Sequence, residues 1–256
     1  MDSLRKTSTT RRRFTATGLA ALLVGGGVSL PVASRALAQD QPTFETRARF
    51  LHANTDGNQY EVFIDGNEVI DEFNYGDVSD WIDVNPGSVR LTLTHDRAGF
   101  NYTAFDAYYP VAAGGSFNVT ITDAIVIASA VETSALQGDN ARVRVVHGSA
   151  DTPPISVLVA GSDEVLATDL GFGRSSEYVE VPAGTYDLDV QVSETQESVL
   201  SLPGVQVQAG MVYDFVAMGT PGDEDTPLEV TTLETEATTS QAATPAATPE
   251  AATPVS

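Results

Sequence analysis

Residues 186–192 read YDLDVQV, in which apolar and polar side chains alternate with a period of two. The same alternation recurs in residues 89–94, VRLTLT, and in residues 117–122, FNVTIT. Successive side chains of a β-strand point to opposite faces, so this period predicts strands with one buried and one solvated face. Outside the N-terminal segment no stretch shows a sustained helical period. The sequence therefore predicts an all-β fold.

Turn residues separate these runs, and an internal repeat organises them. Residues 49–52, RFLH, align with residues 144–147, RVVH, and the register continues through later turns after two extra residues in the second copy. About seven short strands in each copy predict an antiparallel β-sandwich of immunoglobulin-like size. The sequence thus predicts two tandem sandwiches, over residues 45–135 and 140–235.

The second copy carries most of a recognisable motif series. It includes residues 141–153 (ARVRVVHGSADTP), 170–173 (LGFG) and 181–186 (VPAGTY). The first copy matches more loosely, through RFLHA at 49–53 and NPG at 85–87. This series resembles the bacterial domain of unknown function family 4397. The resemblance implies a secreted or cell-envelope β-sandwich module and implies no activity, cofactor or catalytic residue.

Residues 1–38 have the pattern of an export signal. A cationic start precedes a short apolar stretch, and Ala36 and Ala38 form a small-x-small cleavage site. Residues 10–14, TRRRF, resemble the twin-arginine export motif through Arg11 and Arg12. A membrane anchor is the alternative, but glycines interrupt the apolar stretch. We therefore expect a prokaryotic protein that is extracellular or in the cell envelope, with no membrane span in the mature chain.

Composition excludes several classes of function. The 256 residues include 13 Lys and Arg, 35 Asp and Glu and no Cys. Cleavage after residue 38 would remove six basic residues and one acidic residue, which leaves 7 against 34. Binding nucleic acid requires a basic surface, so this balance argues against a nucleic-acid partner. The absence of Cys excludes disulfides, Cys-ligated metals and a thiol nucleophile.

The last segment, residues 237–256, is rich in Thr, Ala and Pro. Such a composition cannot bury an apolar core and predicts a disordered tail. Two interpretations stay open for it: a plain solvated terminus, which we favour, and a wall-spanning or O-glycosylated stalk.

A His and an Asp recur at the end of the first strand of each copy, as His52 with Asp56 and His147 with Asp151. Imidazole with carboxylate suits a metal- or pH-sensitive site. One pair per copy is two ligands short of a closed site, so we favour a structural motif and predict no metal and no cofactor. Residues 54–58, NTDGN, resemble the start of a calcium loop but lack its closing Glu.

An aromatic segment distinguishes the first copy from the second. Exposed aromatic rings could bind sugars or a protein partner, although an edge strand that caps the sandwich is the simpler interpretation. The aromatic residues of this segment are Phe100, Tyr102, Phe105, Tyr108 and Tyr109.

No nucleophile elbow, metalloprotease motif or phosphate-binding loop is present, and His95 is expected in a solvated turn. We therefore predict a non-enzymatic binding or structural module whose partner is an unknown surface protein or a glycan. A carbohydrate-binding module that uses residues 100–109 is the main alternative. A secreted hydrolase with paired acids is the next. The sequence does not fix the oligomeric state.

Overall fold

The computed structural model describes residues 45–97, 99–162 and 164–238. The predicted signal peptide, with Arg11, Arg12, Ala36 and Ala38, lies outside these ranges, as does the predicted tail beyond Thr238. The described residues form sixteen β-strands and no helix, which confirms the predicted all-β fold. Accordingly, these ranges contain no helix long and apolar enough to cross a membrane.

Each repeat contributes eight strands. Those of the first are β1 (Arg47–His52), β2 (Tyr60–Ile64), β3 (Asn67–Phe73), β4 (Ile82–Asp83), β5 (Gly87–Arg97), β6 (Phe100–Val111), β7 (Ser116–Ile121) and β8 (Val126–Val131). Those of the second are β9 (Asn140–His147), β10 (Ile155–Val159), β11 (Val165–Leu170), β12 (Val179–Pro182), β13 (Gly184–Val192), β14 (Ser198–Val207), β15 (Met211–Met218) and β16 (Glu229–Glu236). Each repeat thus has one strand more than the seven or so expected, and each count includes a short strand, β4 in the first repeat and β12 in the second.

The two repeats have the same topology. We call the sheet of each repeat that faces the other repeat the inner sheet, and the second sheet the outer sheet. In the first repeat the inner sheet has the order β4-β1-β7-β8 and the outer sheet the order β3-β2-β5-β6. In the second repeat the inner sheet is β12-β9-β15-β16 and the outer sheet is β11-β10-β13-β14. The pairs β1/β7 and β9/β15 are parallel, and the other pairs are antiparallel. Each repeat is thus a sandwich of two four-stranded sheets.

Alternation along the strands gives each sandwich its own apolar core. In the first repeat Phe50 and Val119 of the inner sheet pack with Val62 and Leu91 of the outer sheet. The equivalent cluster of the second repeat includes Val145, Val157, Leu188 and Phe215. Burial of this apolar surface is the main force that holds the sheets together.

A β-bulge interrupts the alternation near one end of the outer sheet. Leu93 of β5 pairs with Phe105 of β6, but Thr94 pairs with Thr103, so Ala104 is an extra residue. The second repeat has the same irregularity at the equivalent place in the β13/β14 pair. Because a bulge shifts the alternation by one residue, side chains beyond it change face.

The two inner sheets pack against each other. A third apolar cluster lies between them, with Leu51 and Ile127 from the first repeat and Val146, Val216 and Leu233 from the second. Strand β9 is consequently buried on both faces, as its burial from Ala141 to His147 shows. The described repeats therefore form one body with four layers of sheet.

A buried ion pair lies in this interface. Arg144 binds Asp214 through two hydrogen bonds, from Nε to Oδ1 at 2.8 Å and from Nη2 to Oδ2 at 2.6 Å. Tyr178 donates to Oδ1 at 2.7 Å, and the Asn118 amide of the first repeat donates to Oδ2 at 2.7 Å. Arg144 also donates to the carbonyl of Ala130 at 2.9 Å. These bonds compensate the desolvation of both charges.

The first repeat has the equivalent pair of side chains, but only one of the two is charged. Arg49 lies beside Asn118 and donates from Nε to its Oδ1 at 3.2 Å. By strand register, Arg49 corresponds to Arg144 and Asn118 to Asp214. Contact between equivalent residues is what an approximate two-fold packing of the inner sheets produces. The single difference places an amide donor, not a second carboxylate, against Asp214.

Candidate functional site

A polar pocket of about 260 Å³ opens at one end of the first sandwich. Its walls come from the loop after β1, the start of β2, the bulged part of β5 and β6, and the turn between β7 and β8. Groups that donate and accept hydrogen bonds converge there, so the pocket suits a polar ligand. The polar side chains that line it are Asn54, Asp56, Tyr60, His95, Thr122 and Asp123.

Hydrogen bonds fix the loop that carries Asp56. Its Oδ1 accepts the backbone N–H of Asn58 at 2.8 Å, which is an Asx-turn. Its Oδ2 accepts the Tyr60 hydroxyl at 2.7 Å. The Asn54 amide donates to the Tyr60 oxygen at 3.2 Å, and its Oδ1 accepts the backbone N–H of Asp56 at 2.8 Å. The three side chains therefore form one rigid network.

The pocket holds negative charge. Desolvation alone would raise the pKa of Asp56, but the hydrogen bonds from Tyr60 and Asn58 outweigh it and lower that pKa. Burial and the nearby Asp56 carboxylate raise the pKa of Tyr60, which keeps the phenol neutral. A second carboxylate, that of Asp123, accepts both the backbone N–H and the hydroxyl of Thr55, at 2.7 and 2.9 Å.

A row of five rings leads from the surface beside this pocket into the core. It runs through Tyr102, His95, Tyr60, His52 and Phe73, with successive centroid distances of 5.9, 5.5, 5.1 and 5.6 Å. Tyr102 stacks on His95 at an interplanar angle of 27° and is 49% exposed. The outer end of the row thus presents an aromatic ring next to the polar pocket.

The repeated histidines are buried in both repeats, and burial lowers the pKa of each. Neither ring nitrogen of His52 has a hydrogen-bond partner, whereas His147 Nε2 lies 3.2 Å from the carbonyl oxygen of Pro153. Asp151 accepts a hydrogen bond from Thr220 at 3.4 Å. Within the described ranges, no three His, Asp or Glu side chains are grouped so that they could hold a metal ion.

The five residues of the aromatic segment lie on β6, which is an edge strand, and they do not share one face. Phe105 and Tyr109 are half-buried, pack against the first core and stack at 6.3 Å. Phe100 lies at the start of the strand and is 68% exposed. The structure therefore divides this set between core packing and the surface.

The bulge at Ala104 separates Tyr102 from Tyr108. Unbroken alternation would place these two on the same face, since they are six positions apart. With the extra residue, Tyr102 lies opposite His95 beside the pocket. Tyr108 lies opposite Arg90 on the other face of the sheet and is 67% exposed.

Sequence reasoning did not find Tyr60 and Asp123, and it placed His95 in a solvated turn. His95 instead lies within β5, half-buried between two tyrosines. The repeat contains a signal that could have identified Tyr60 and His95, because the second copy has Ile155 and Val192 at the equivalent positions. Polar aromatic residues in one copy and aliphatic residues in the other mark the end at which the copies differ.

The fold and the pocket define a tandem β-sandwich protein whose two repeats differ in their capacity for polar contacts. Residues 46–158 and 141–247 each match the family described as Domain of unknown function (DUF4397). The chain therefore belongs to this family. Among curated proteins, none matches the sequence.

Two solved structures resemble parts of the chain. A candidate cell adhesion protein from Bacteroides uniformis ATCC 8492 is 9% identical with a TM-score of 0.25, covering 76% of this chain and 100% of its own. A second, from Bacteroides fragilis NCTC 9343, is 8% identical with a TM-score of 0.18, covering 78% and 99%. Similarity this low carries no argument about function.

Proposed function

We propose that this protein is an exported, non-enzymatic binding protein of the prokaryotic cell envelope, and that its first repeat binds a glycan at the polar pocket. The sequence pattern of residues 1–38 supports export. The second repeat has aliphatic residues where the first has Tyr60 and His95, so we assign it a supporting role.

The observation that carries the proposal is the combination of Tyr102 with the pocket. A sugar ring has apolar C–H faces and polar hydroxyl edges, so it needs a flat apolar surface beside hydrogen-bonding groups. Tyr102 supplies the surface, since its ring is half-exposed and held on His95. Asp56 and Asp123 supply carboxylate acceptors for sugar hydroxyls, and hydrogen bonds already fix both side chains in place. Such preorganisation limits the entropy lost on binding.

The test is retention of the purified protein on insoluble polysaccharides, followed by titration with soluble fragments of any that bind. Tyr102→Ala should weaken binding by about tenfold, which corresponds to the loss of one stacking contact. Tyr108→Ala is the matched control, because it removes an equally large exposed ring from the other face of the same strand. It should bind as the unaltered protein does.

Two results would contradict the proposal. One is that the unaltered protein is retained by none of the polysaccharides. The other is that Tyr102→Ala and Tyr108→Ala weaken binding equally. In either case a surface-protein partner becomes the better interpretation, and partners should be isolated from the cell surface.

A further inference from the structure

The first sandwich contains an apolar cleft of about 300 Å³ in addition to the polar pocket. It lies between the two sheets and opens between β6 and β8, the edge strands on that side. Its lining includes Ala48 of β1, Val89 of β5, Val119 of β7 and Ala128 of β8. The Tyr109 side chain supplies the one hydroxyl among the lining side chains, and burial raises its pKa.

The cleft and the polar pocket are neighbours along the same strands. On β7 the cleft is lined by Val119 and the pocket by Ile121, two positions further on. On β6 the cleft is lined by Tyr109 and the pocket by Phe105, and these two rings stack on each other. Inward-facing positions of a strand are two residues apart, so the two spaces are adjacent sections of one side of the sandwich.

The second repeat fills the equivalent space. Around Val143, Tyr186 and Phe215 the remaining volume is about 10 Å³. By register these residues replace Ala48, Val89 and Val119 of the first repeat. Phe50, where the second repeat has Val145, restores part of the missing volume. The position of the tyrosine also differs, because the second repeat has Tyr186 on the central strand β13 whereas the first repeat has Tyr109 on the edge strand β6. The same topology can therefore be packed closely, and the first repeat is not.

Open apolar space of this size has a physical consequence. Apolar cavities exclude water and accept apolar ligands, and an engineered cavity of about 150 Å³ already binds benzene. Ligand pockets begin at about 300 Å³. The cleft of the first repeat therefore has the size and chemistry of a binding site for one apolar group.

We propose that the cleft binds the hydrocarbon chain of an amphiphile whose polar head occupies the adjacent polar pocket. The opening between the edge strands lets a chain enter while its head stays at the surface. With 34 acidic and 7 basic residues from residue 39 onwards, the protein's charge disfavours an anionic head group. A neutral acyl or alkyl glycoside satisfies both spaces. The polar half of this inference rests on the proposed glycan binding.

The experiment is a calorimetric titration with three probes below their aggregation concentrations: decyl β-glucoside, methyl β-glucoside and 1-decanol. Each methylene that leaves water strengthens binding by about fourfold. Decyl glucoside should therefore bind at least about 100-fold more tightly than methyl glucoside, with a negative heat-capacity change. Decanol alone should bind more weakly than decyl glucoside.

Variants separate the chain from the head. Ala48→Val with Val119→Phe introduces two of the larger side chains of the second repeat and should bring the affinity for decyl glucoside toward that for methyl glucoside, which itself stays unchanged. Thermal unfolding checks that this variant is folded. If it is not, the single variant Ala48→Val takes its place in the titrations. Tyr102→Ala should weaken both glucosides by the same factor and leave decanol unaffected. Tyr108→Ala should change none of the three.

The outcomes distinguish this inference from the glycan proposal. Equal affinities for decyl and methyl glucoside, or a filled variant that binds decyl glucoside normally, would overturn the cleft as a chain site and leave the pocket untouched. If methyl glucoside does not bind and Tyr102→Ala is without effect, while the filled variant loses decanol, the glycan half is wrong and only the cleft is supported.

Discussion

Replacing Asn118 with aspartate would place two carboxylates against each other between the repeats. In the native protein the Asn118 amide donates to Asp214 Oδ2 at 2.7 Å, and both side chains are buried. The substitution changes little in volume but exchanges a donor for a charged acceptor. It therefore tests whether this one difference between equivalent positions stabilises the packing of the inner sheets.

The magnitude follows from the geometry. If the two carboxylates relax to about 4 Å, they repel by about 4 kcal/mol at an effective dielectric constant of about 20. The lost hydrogen bond adds about 1–2 kcal/mol. Arg49 Nε lies 3.2 Å from the Asn118 oxygen, so it would attract the new carboxylate by about 5 kcal/mol on the same scale and offset the repulsion. The net loss then comes from burying an additional charge and from the lost hydrogen bond. We therefore expect Asn118→Asp to lower the free energy of unfolding by about 2–5 kcal/mol.

Equilibrium unfolding in urea at pH 7 measures this change, with Asn118→Ala as the reference. The alanine variant loses the hydrogen bond without adding charge, so it should cost about 1–3 kcal/mol. The aspartate variant should be the less stable of the two, and the difference should narrow at pH 4, where protonation of the introduced carboxyl group removes the added charge. An aspartate variant as stable as the alanine variant would refute the reasoning.

Three further predictions concern the histidines and the pocket network. His52→Phe should be better tolerated than His147→Phe by about 1 kcal/mol, since His52 has no hydrogen bond to lose and His147 contacts the Pro153 carbonyl. Burial lowers the pKa of His52, so as the pH falls the unfolded chain binds a proton before the folded protein does. The protein therefore loses stability below about pH 6.5. His52→Phe should reduce this loss, which thermal melts at pH 7 and pH 5 measure. Tyr60→Phe removes a hydrogen bond that lowers the pKa of Asp56. This bond stabilises the folded protein above about pH 4, and the stabilisation is lost as the pH falls through the lowered pKa of Asp56. The variant should be about 1 kcal/mol less stable at pH 7, and the difference should shrink in strong acid, where only the bond from Asn54 to the Tyr60 oxygen is still lost; equal melting temperatures at pH 7 would contradict this.

The sequence predicted the sandwiches but not the interface between them. Alternation shows which side chains of a strand are polar, and polar side chains are ordinarily assigned to solvent. In β9 that assignment fails for Arg142 and Arg144, which are both buried against the first repeat. Arg144, for example, binds Asp214 on another strand of its own repeat and the carbonyl of Ala130 in the other repeat. Such burial depends on tertiary packing, which a period of two does not encode.

The polar pocket was hidden for a different reason. Its chemistry depends on Tyr60 lying beside His95 and on the bulge that turns Tyr102 toward them. Both depend on the register of neighbouring strands, and a single extra residue changes which side chains meet. The aromatic segment was visible in the sequence, but the division of Tyr102 and Tyr108 between two faces was not.

The course of β1 determines which way the pocket faces. Glu45 and Thr238, the first and last described residues, border the same surface depression, and the N–H of Thr238 donates to Thr133 at 2.6 Å. From there β1 runs six residues, or about 20 Å, to His52 at the pocket end. Both ends of the described residues thus lie at the pole opposite the pocket. A tether attached beyond Thr238 would hold the molecule by its far end and direct the pocket outward, away from whatever surface carries it.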